Sequence, residues 1–315
     1  MAQGLRIGRI PGTAAGLAHL ASSLAAALAI VPGVVGCKSL GQRAPAAADM
    51  ASCRQLQQNA HAALERGEAA QAELLLSRAV AACPVDAEAR REYADALWQR
   101  GAHADALSHL EQARIAAPDD AHLAVRAGEM LLTLGRPRDA WFAARDALDI
   151  DPQCGPAWAV RGRSMAATGQ WSAAAADYQR ALGYEVDRRD VLWCLAEAQR
   201  ELAQPEQALA TLEVLGDIYP PNEEPPQLLV AQGMAQAALG RFDDARNSVL
   251  AGLRRGPPSA EIWCRLAEAE LGAGRADRAA AAAGQALALE PAHPSALALA
   301  ARLAAVAQAP PSVRR

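Results

Sequence analysis

The chain has 315 residues, a length that suggests about two ordinary domains, and 52% of them are hydrophobic but only 4% aromatic, so a core must be built from Ala and Leu in close packing. That favours helices lying side by side. The 31 Lys and Arg against 35 Asp and Glu leave a formal charge of −4, which excludes the basic surface that nucleic-acid binding requires.

Arg6 and Arg9 open the chain, and the run from Thr13 to Val31 carries no charge, so residues 1–36 read as an export signal. Pro32 and Gly33 then break the apolar helix, and Val34-Val35-Gly36-Cys37 follows. This tetrapeptide resembles the lipobox of bacterial lipoproteins, in which a peptidase cleaves before the Cys and the new first residue is acylated. The resemblance implies lipidation at Cys37. Several acyl chains on one residue anchor a protein stably with no spanning helix. An uncleaved helix over Thr13–Gly36 is long enough to span a bilayer and stands as the other reading, although its Ala richness and Pro-Gly ending argue against it. Lys38, not Asp, follows the Cys, which resembles the sorting rule for an outer-membrane protein facing the periplasm. Residues 37–52 are small, polar and without period, and read as the acylated Cys and a flexible tether.

Beyond the tether the punctuation becomes regular. Gly67, Gly101, Gly135 and Gly169 are 34 residues apart, Ala203 takes the next place, and Gly240 and Gly274 complete the series after one step of 37. Pro84, Pro118, Pro152, Val186, Pro220, Pro257 and Pro291 keep the same beat. So do two columns of small residues, one running from Ala60 through Gly128 and Gly162 to Ala267, the other from Ala72 to Ala279. The Gly suits a left-handed helix end, the Pro stops the following helix, and Asp86 and Asp120 are placed to cap the next one. The small columns fall where two antiparallel helices must approach closely. Each unit is a helical hairpin.

This pattern resembles the tetratricopeptide repeat family, whose signature of W-x2-L-G-x2-Y, then A-x3-F, then P recurs every 34 residues. The fourth unit shows it best, with Trp158, Gly162, Met165, Ala174, Tyr178 and Ala181, and departs from it at Arg161 and Val186, where the family prefers Leu and Pro. The resemblance implies an all-α, right-handed solenoid of about seven repeats, at 53–86, 87–120, 121–154, 155–188, 189–222, 226–259 and 260–293. A capping helix follows at 294–308, then a disordered tail at 309–315. The three extra residues, Glu223 to Pro225, mark either a longer loop on a continuous solenoid, which is favoured, or a hinge.

In this family the first helices line a groove that holds peptides, so side chains there decide the ligand. The groove positions carried over are Arg54, Gln57, His61, Arg91, Asp95, Trp98, Arg126, Glu129, Arg163, Trp193, Glu197, Arg200, Arg265 and Glu268. Their charges are mixed. Members that clamp a terminal carboxylate use Lys and Asn where this chain has Arg91, Val125, Asp95 and Glu129, so that clamp is absent. Trp98 and Trp193 either face a ligand as binding anchors or tuck against the neighbouring repeat.

No metal, cofactor, small-molecule substrate or catalytic group is assigned. His103 and His109 are six apart on one helix, not at ligand spacing, and neither a phosphate-binding loop nor a G-x-S-x-G elbow occurs. In an oxidising compartment Cys53 and Cys83, level across the first hairpin, are candidates for a disulfide if both side chains point inward. The expected function is a lipid-anchored, extracytoplasmic adaptor that binds a protein or peptide partner in its groove, a class that includes envelope-assembly and secretion-system pilot lipoproteins. The alternative is a structural, oligomer-forming envelope component without a groove ligand.

Overall fold

The computed structural model describes residues 47–184 and 188–308; Cys37, the leader before it, Val186 and the tail after residue 308 lie outside the described residues. Within them are fifteen helices and no strand. The first helices of the hairpins are α1 (Ala47–Glu65), α3 (Ala87–Gln99), α5 (Ala121–Thr133), α7 (Gly155–Ala167), α9 (Arg189–Glu201), α11 (Pro226–Ala238) and α13 (Ala260–Gly272). Their partners are α2 (Ala69–Ala82), α4 (His103–Ala116), α6 (Pro137–Ile150), α8 (Trp171–Tyr184), α10 (Pro205–Asp217), α12 (Phe242–Arg255) and α14 (Ala276–Leu289). A last helix, α15 (Pro294–Gln308), packs on α13 and α14. α1 begins at Ala47, inside the segment read as tether, because Met50 finds a partner: its Sδ lies 3.7 Å from the Cys83 Sγ of α2.

The turns behave as the punctuation predicts. Gly67, Gly101, Gly135, Gly169, Gly240 and Gly274 all adopt positive φ, from 68° to 88°. Asp86 accepts a hydrogen bond from the Ala89 amide at 3.0 Å and Asp120 one from the His122 amide at 2.9 Å, each closing a helix start. Ala203 takes the same left-handed turn as the glycines, at φ 54°, despite its Cβ. Ala203→Gly is expected to raise the unfolding free energy by about 0.5–1 kcal/mol, the steric cost of that conformation less the extra chain entropy of Gly. A urea titration reads this as a higher midpoint at unchanged slope; a lower midpoint would show that the turn carries no such strain.

The small columns mark the points where helices touch. A Cβ on Gly162 would meet the Tyr178 ring at 2.7 Å, and one on Gly233 would meet a Val249 methyl at 2.7 Å and the Ala245 carbonyl at 3.0 Å. Gly162 and Gly233 therefore stand where a further carbon would meet the facing helix, while Ala60 and Ala94 of the same column are fully buried in the hairpin core. Across the extra residues the core is unbroken: Leu192, Leu209, Leu212, Leu215 and Leu228 form one buried cluster spanning α9 to α11. Arg255 of α12 donates to Asn222 at 3.1 Å and pairs with Glu224, which pins the loop. The insertion lies as a loop beside a core that continues from α9 to α11.

First helices of successive repeats pack on one another, α5 with α7, α7 with α9 and α11 with α13, while second helices make no comparable contact with each other. The solenoid therefore bends with its first helices inside. α9 and α11 lack this close contact, as do α1 with α3 and α3 with α5.

Candidate functional site

Where α9 and α11 separate, a cavity of about 950 Å³ opens on the inner face, between α9, α11 and α13. Its size is that of a ligand pocket. Trp193, 37% exposed, forms one wall; Val230 and Met234 of α11 and Ile262 of α13 form the other, over a floor of Ala208 and Leu212 from α10. The helical period explains the set. Trp193, Glu197 and Arg200 recur at spacings of four and three along one face of α9, as do Val230 and Met234 on α11. Four of the groove residues expected from the sequence meet here, Trp193, Glu197, Arg200 and Arg265.

The rim is charged but neutralised within itself. Arg265 pairs with Glu261 at 2.5 Å and Glu268 at 3.0 Å, and Arg200 pairs with Glu201 at 2.6 Å and lies 3.9 Å from Glu197. Burial opposes the charge of Arg265, but Glu268 and Glu261 outweigh it and hold its pKa above the usual arginine value. Both rim arginines are held by glutamates, and the uncharged contact surface is the aromatic and aliphatic wall. Arg265 Nε is also buried without an acceptor, so the pocket wall is one hydrogen bond short.

The other groove residues belong to a separate, polar stretch. Arg91 bonds Glu88 and, at 3.3 Å, Asp95; Asp95 receives Arg126 at 2.7 Å; Arg126 bonds Glu129 at 3.0 Å. This ladder of alternating charge ties α3 to α5. Hydrogen bonding to Glu88 holds the Arg91 pKa up, and for Arg126 the bonds to Asp95 and Glu129 overcome the opposing effect of burial. Arg163 pairs with Asp190 at 2.5 Å, joining α7 to α9. A smaller cavity of about 230 Å³ lies between α1 and α3, beside His61, Arg91 and Asp95. His61 sits 2.8 Å from Glu92, to which Gln57 also donates, at 3.3 Å. Arg54 is exposed on α1.

Trp98 differs from Trp193. It is half-buried against the hairpin core and its ring lies 4.2 Å, centroid to centroid, from His103 at the start of α4. That ring contact lies within its own repeat and away from both cavities. Among the described residues no group of three or more His, Cys, Asp or Glu is placed to hold a metal ion, and no helix is long and apolar enough to cross a membrane.

A bent stack of helical hairpins with an open, ligand-sized inner cavity defines a helical-repeat scaffold, a class that works by binding protein or peptide partners. Residues 58–121 and 230–296 match the family model described as tetratricopeptide repeat, so those two stretches carry such repeats. Solved structures share the fold at low identity. A tetratricopeptide repeat protein from Parabacteroides merdae is 15% identical, with a TM-score of 0.56 over 81% of this chain and 99% of that one. The Pseudomonas aeruginosa pilF protein is 18% identical, with a TM-score of 0.58 over 69% and 97%. YrrB, described as a tetratricopeptide repeat protein with an unusual peptide-binding site, is 20% identical, with a TM-score of 0.54 over 60% and 96%. No similar sequence was found among curated proteins.

Proposed function

We propose that this protein is a lipid-anchored, extracytoplasmic scaffold that captures an uncharged, apolar segment of a partner protein in the cavity between α9, α11 and α13. The observation that carries the capture is the cavity itself: about 950 Å³, walled by Trp193, Val230, Met234 and Ile262, with each rim arginine already paired to glutamates. An anionic ligand would have to break those pairs, whereas an apolar side chain gains burial at about 25 cal/mol per Å². The description of YrrB, a solenoid of the same fold, as bearing a peptide-binding site supports the reading. The anchor rests on the sequence around Cys37, and an envelope or secretion-complex role follows from that placement.

Chemical crosslinking in membranes of the native organism, followed by pull-down, tests both halves. The parent and the Cys37→Ala form should differ in membrane extraction and in mass, and Met234→Glu should lose the partner without altering oligomer size. If Cys37→Ala stays in the membrane at the same mass as the parent, the acyl anchor is wrong. If Met234→Glu changes oligomer size instead of partner recovery, the structural-component reading replaces capture.

A further inference from the structure

Cys53 and Cys83 stand on the two helices of the first hairpin and both are fully buried, at 0% exposure. Ala60, Ala63, Ala72 and Ala79, with Leu76 and Val80, fill the space between α1 and α2. Cys53 Sγ lies 3.6 Å from the Ala79 carbonyl oxygen, one helical turn before Cys83 on α2. The Cys53 thiol also touches the Cys83 side chain, and both belong to one buried cluster with Ala79, Val80 and Ala89. The condition on the pair, that both side chains point inward, is met.

We infer that Cys53 and Cys83 form a disulfide in the exported protein, pinning α1 to α2 at the end of the solenoid nearest the tether. The inference rests on the export reading for its oxidising compartment and on the geometry for the bond. The reaction is thiol–disulfide exchange with a donor disulfide, either glutathione disulfide or the disulfide of an oxidase. One cysteine thiolate attacks the donor and releases one donor thiol; the second cysteine attacks the mixed disulfide and releases the other. Two protein thiols are oxidised, one donor disulfide is reduced, and the two protons leave with the donor sulfurs. Burial, with Asp86 nearby, pushes the Cys53 thiol up to about 12, so in the packed hairpin it holds its proton. The bond therefore closes while the hairpin folds or when α1 frays. A terminal repeat has one neighbour only and is the part of a solenoid most prone to fray. α1 is also the described helix nearest Cys37 in the sequence, so any pull from a membrane anchor reaches it before the other described helices.

Two preparations of the full chain test this. In one, membranes of the native organism are quenched in acid, free thiols are blocked with maleimide, and peptides are mapped by mass spectrometry before and after reduction. In the other, purified protein is unfolded, reduced and refolded with a mixture of oxidised and reduced glutathione. Both should yield a linked peptide pair containing Cys53 and Cys83, lighter than the two thiol peptides by two hydrogens. Amide exchange in α1 and α2 should be about 100-fold slower in the refolded oxidised protein than in the same protein after reduction. If refolding gives only thiols, glutathione adducts or pairs with other cysteines, the bond is excluded and the export reading is untouched. If refolding gives the bond but native membranes hold both residues as thiols, the bond in the cell is overturned and the export reading falls with it.

Discussion

Asp177→Ala is expected to remove about 3 kcal/mol of stability, because it strands Arg161 in the α7–α8 interface. Asp177 is 2% exposed, and Arg161 meets it with two parallel hydrogen bonds, Nε to Oδ2 at 2.7 Å and an Nη to Oδ1 at 2.8 Å. The guanidinium also lies over the Trp158 ring at 4.3 Å, with Arg180 near the same ring at 4.6 Å. Trp158 is held in place by donating its indole N–H to the Pro152 carbonyl at 2.9 Å. Removing the carboxylate leaves a largely enclosed cation with no counter-ion, whereas removing both ends leaves an apolar contact of ordinary kind. The double variant Arg161→Leu, Asp177→Leu should therefore recover most of the loss. Denaturant titration of the three variants decides it: additive losses in the double variant would show that the two residues act separately. Arg161→Leu alone also restores the residue the repeat pattern prefers, yet it should destabilise, because it leaves the buried Asp177 with only the longer 3.5 Å pair to the exposed Arg180.

Trp193→Ala is expected to weaken capture of the partner segment by about 30-fold, equivalent to about 2 kcal/mol, the usual cost of truncating a central aromatic anchor. Trp98→Ala should leave affinity within about threefold and lower stability instead, since that ring packs on His103 inside its repeat. Affinity is measured with the partner recovered from crosslinking, and stability by thermal melting of the same preparations. Equal losses of affinity in the two variants would remove the cavity at α9 and α11 from the binding surface.

Much of the fold was legible in the sequence because its periodic residues answer to local constraints. A positive φ asks for Gly, a helix stop asks for Pro, and a close helix approach asks for Ala or Gly, so the columns at Gly67, Pro84 and Ala60 state the hairpin without tertiary knowledge. Ala203, which breaks its column, keeps the conformation of the column all the same, since the turn is imposed by the two packed helices. The start of α1 at Ala47 was not legible, because what holds its first turn is a contact to Cys83, distant in sequence.

The candidate site was legible only in part. Position within the repeat identified Trp193, Glu197, Arg200 and Arg265, but the same rule named Arg91, Asp95, Arg126 and Glu129, which satisfy one another instead. Val230, Met234, Leu212 and Ile262 were not singled out. They are ordinary aliphatic residues, and only the packing of α9, α10, α11 and α13 brings them to one cavity. The three extra residues at 223–225 mark the step between the repeats on either side of the cavity, but as a sequence signal they offered only a longer loop or a hinge. Arg161 was visible as a departure from the pattern, but its partner Asp177 lies on the facing helix and carries no motif of its own.

The narrow gaps between helices have a further consequence for how this chain tolerates change. Where Gly162 meets Tyr178 and Gly272 meets Phe242, at 2.2 Å from the nearest ring atom to a would-be Cβ, no room exists for even one added carbon. Conversely, most interior positions are Ala, from which truncation removes almost nothing. At these Gly and Ala positions random substitution errs in one direction only, toward excess volume, so damage there should arise by wedging neighbouring rods apart and spread to adjacent units, in contrast to the voids left where a buried Leu or Tyr178 is truncated.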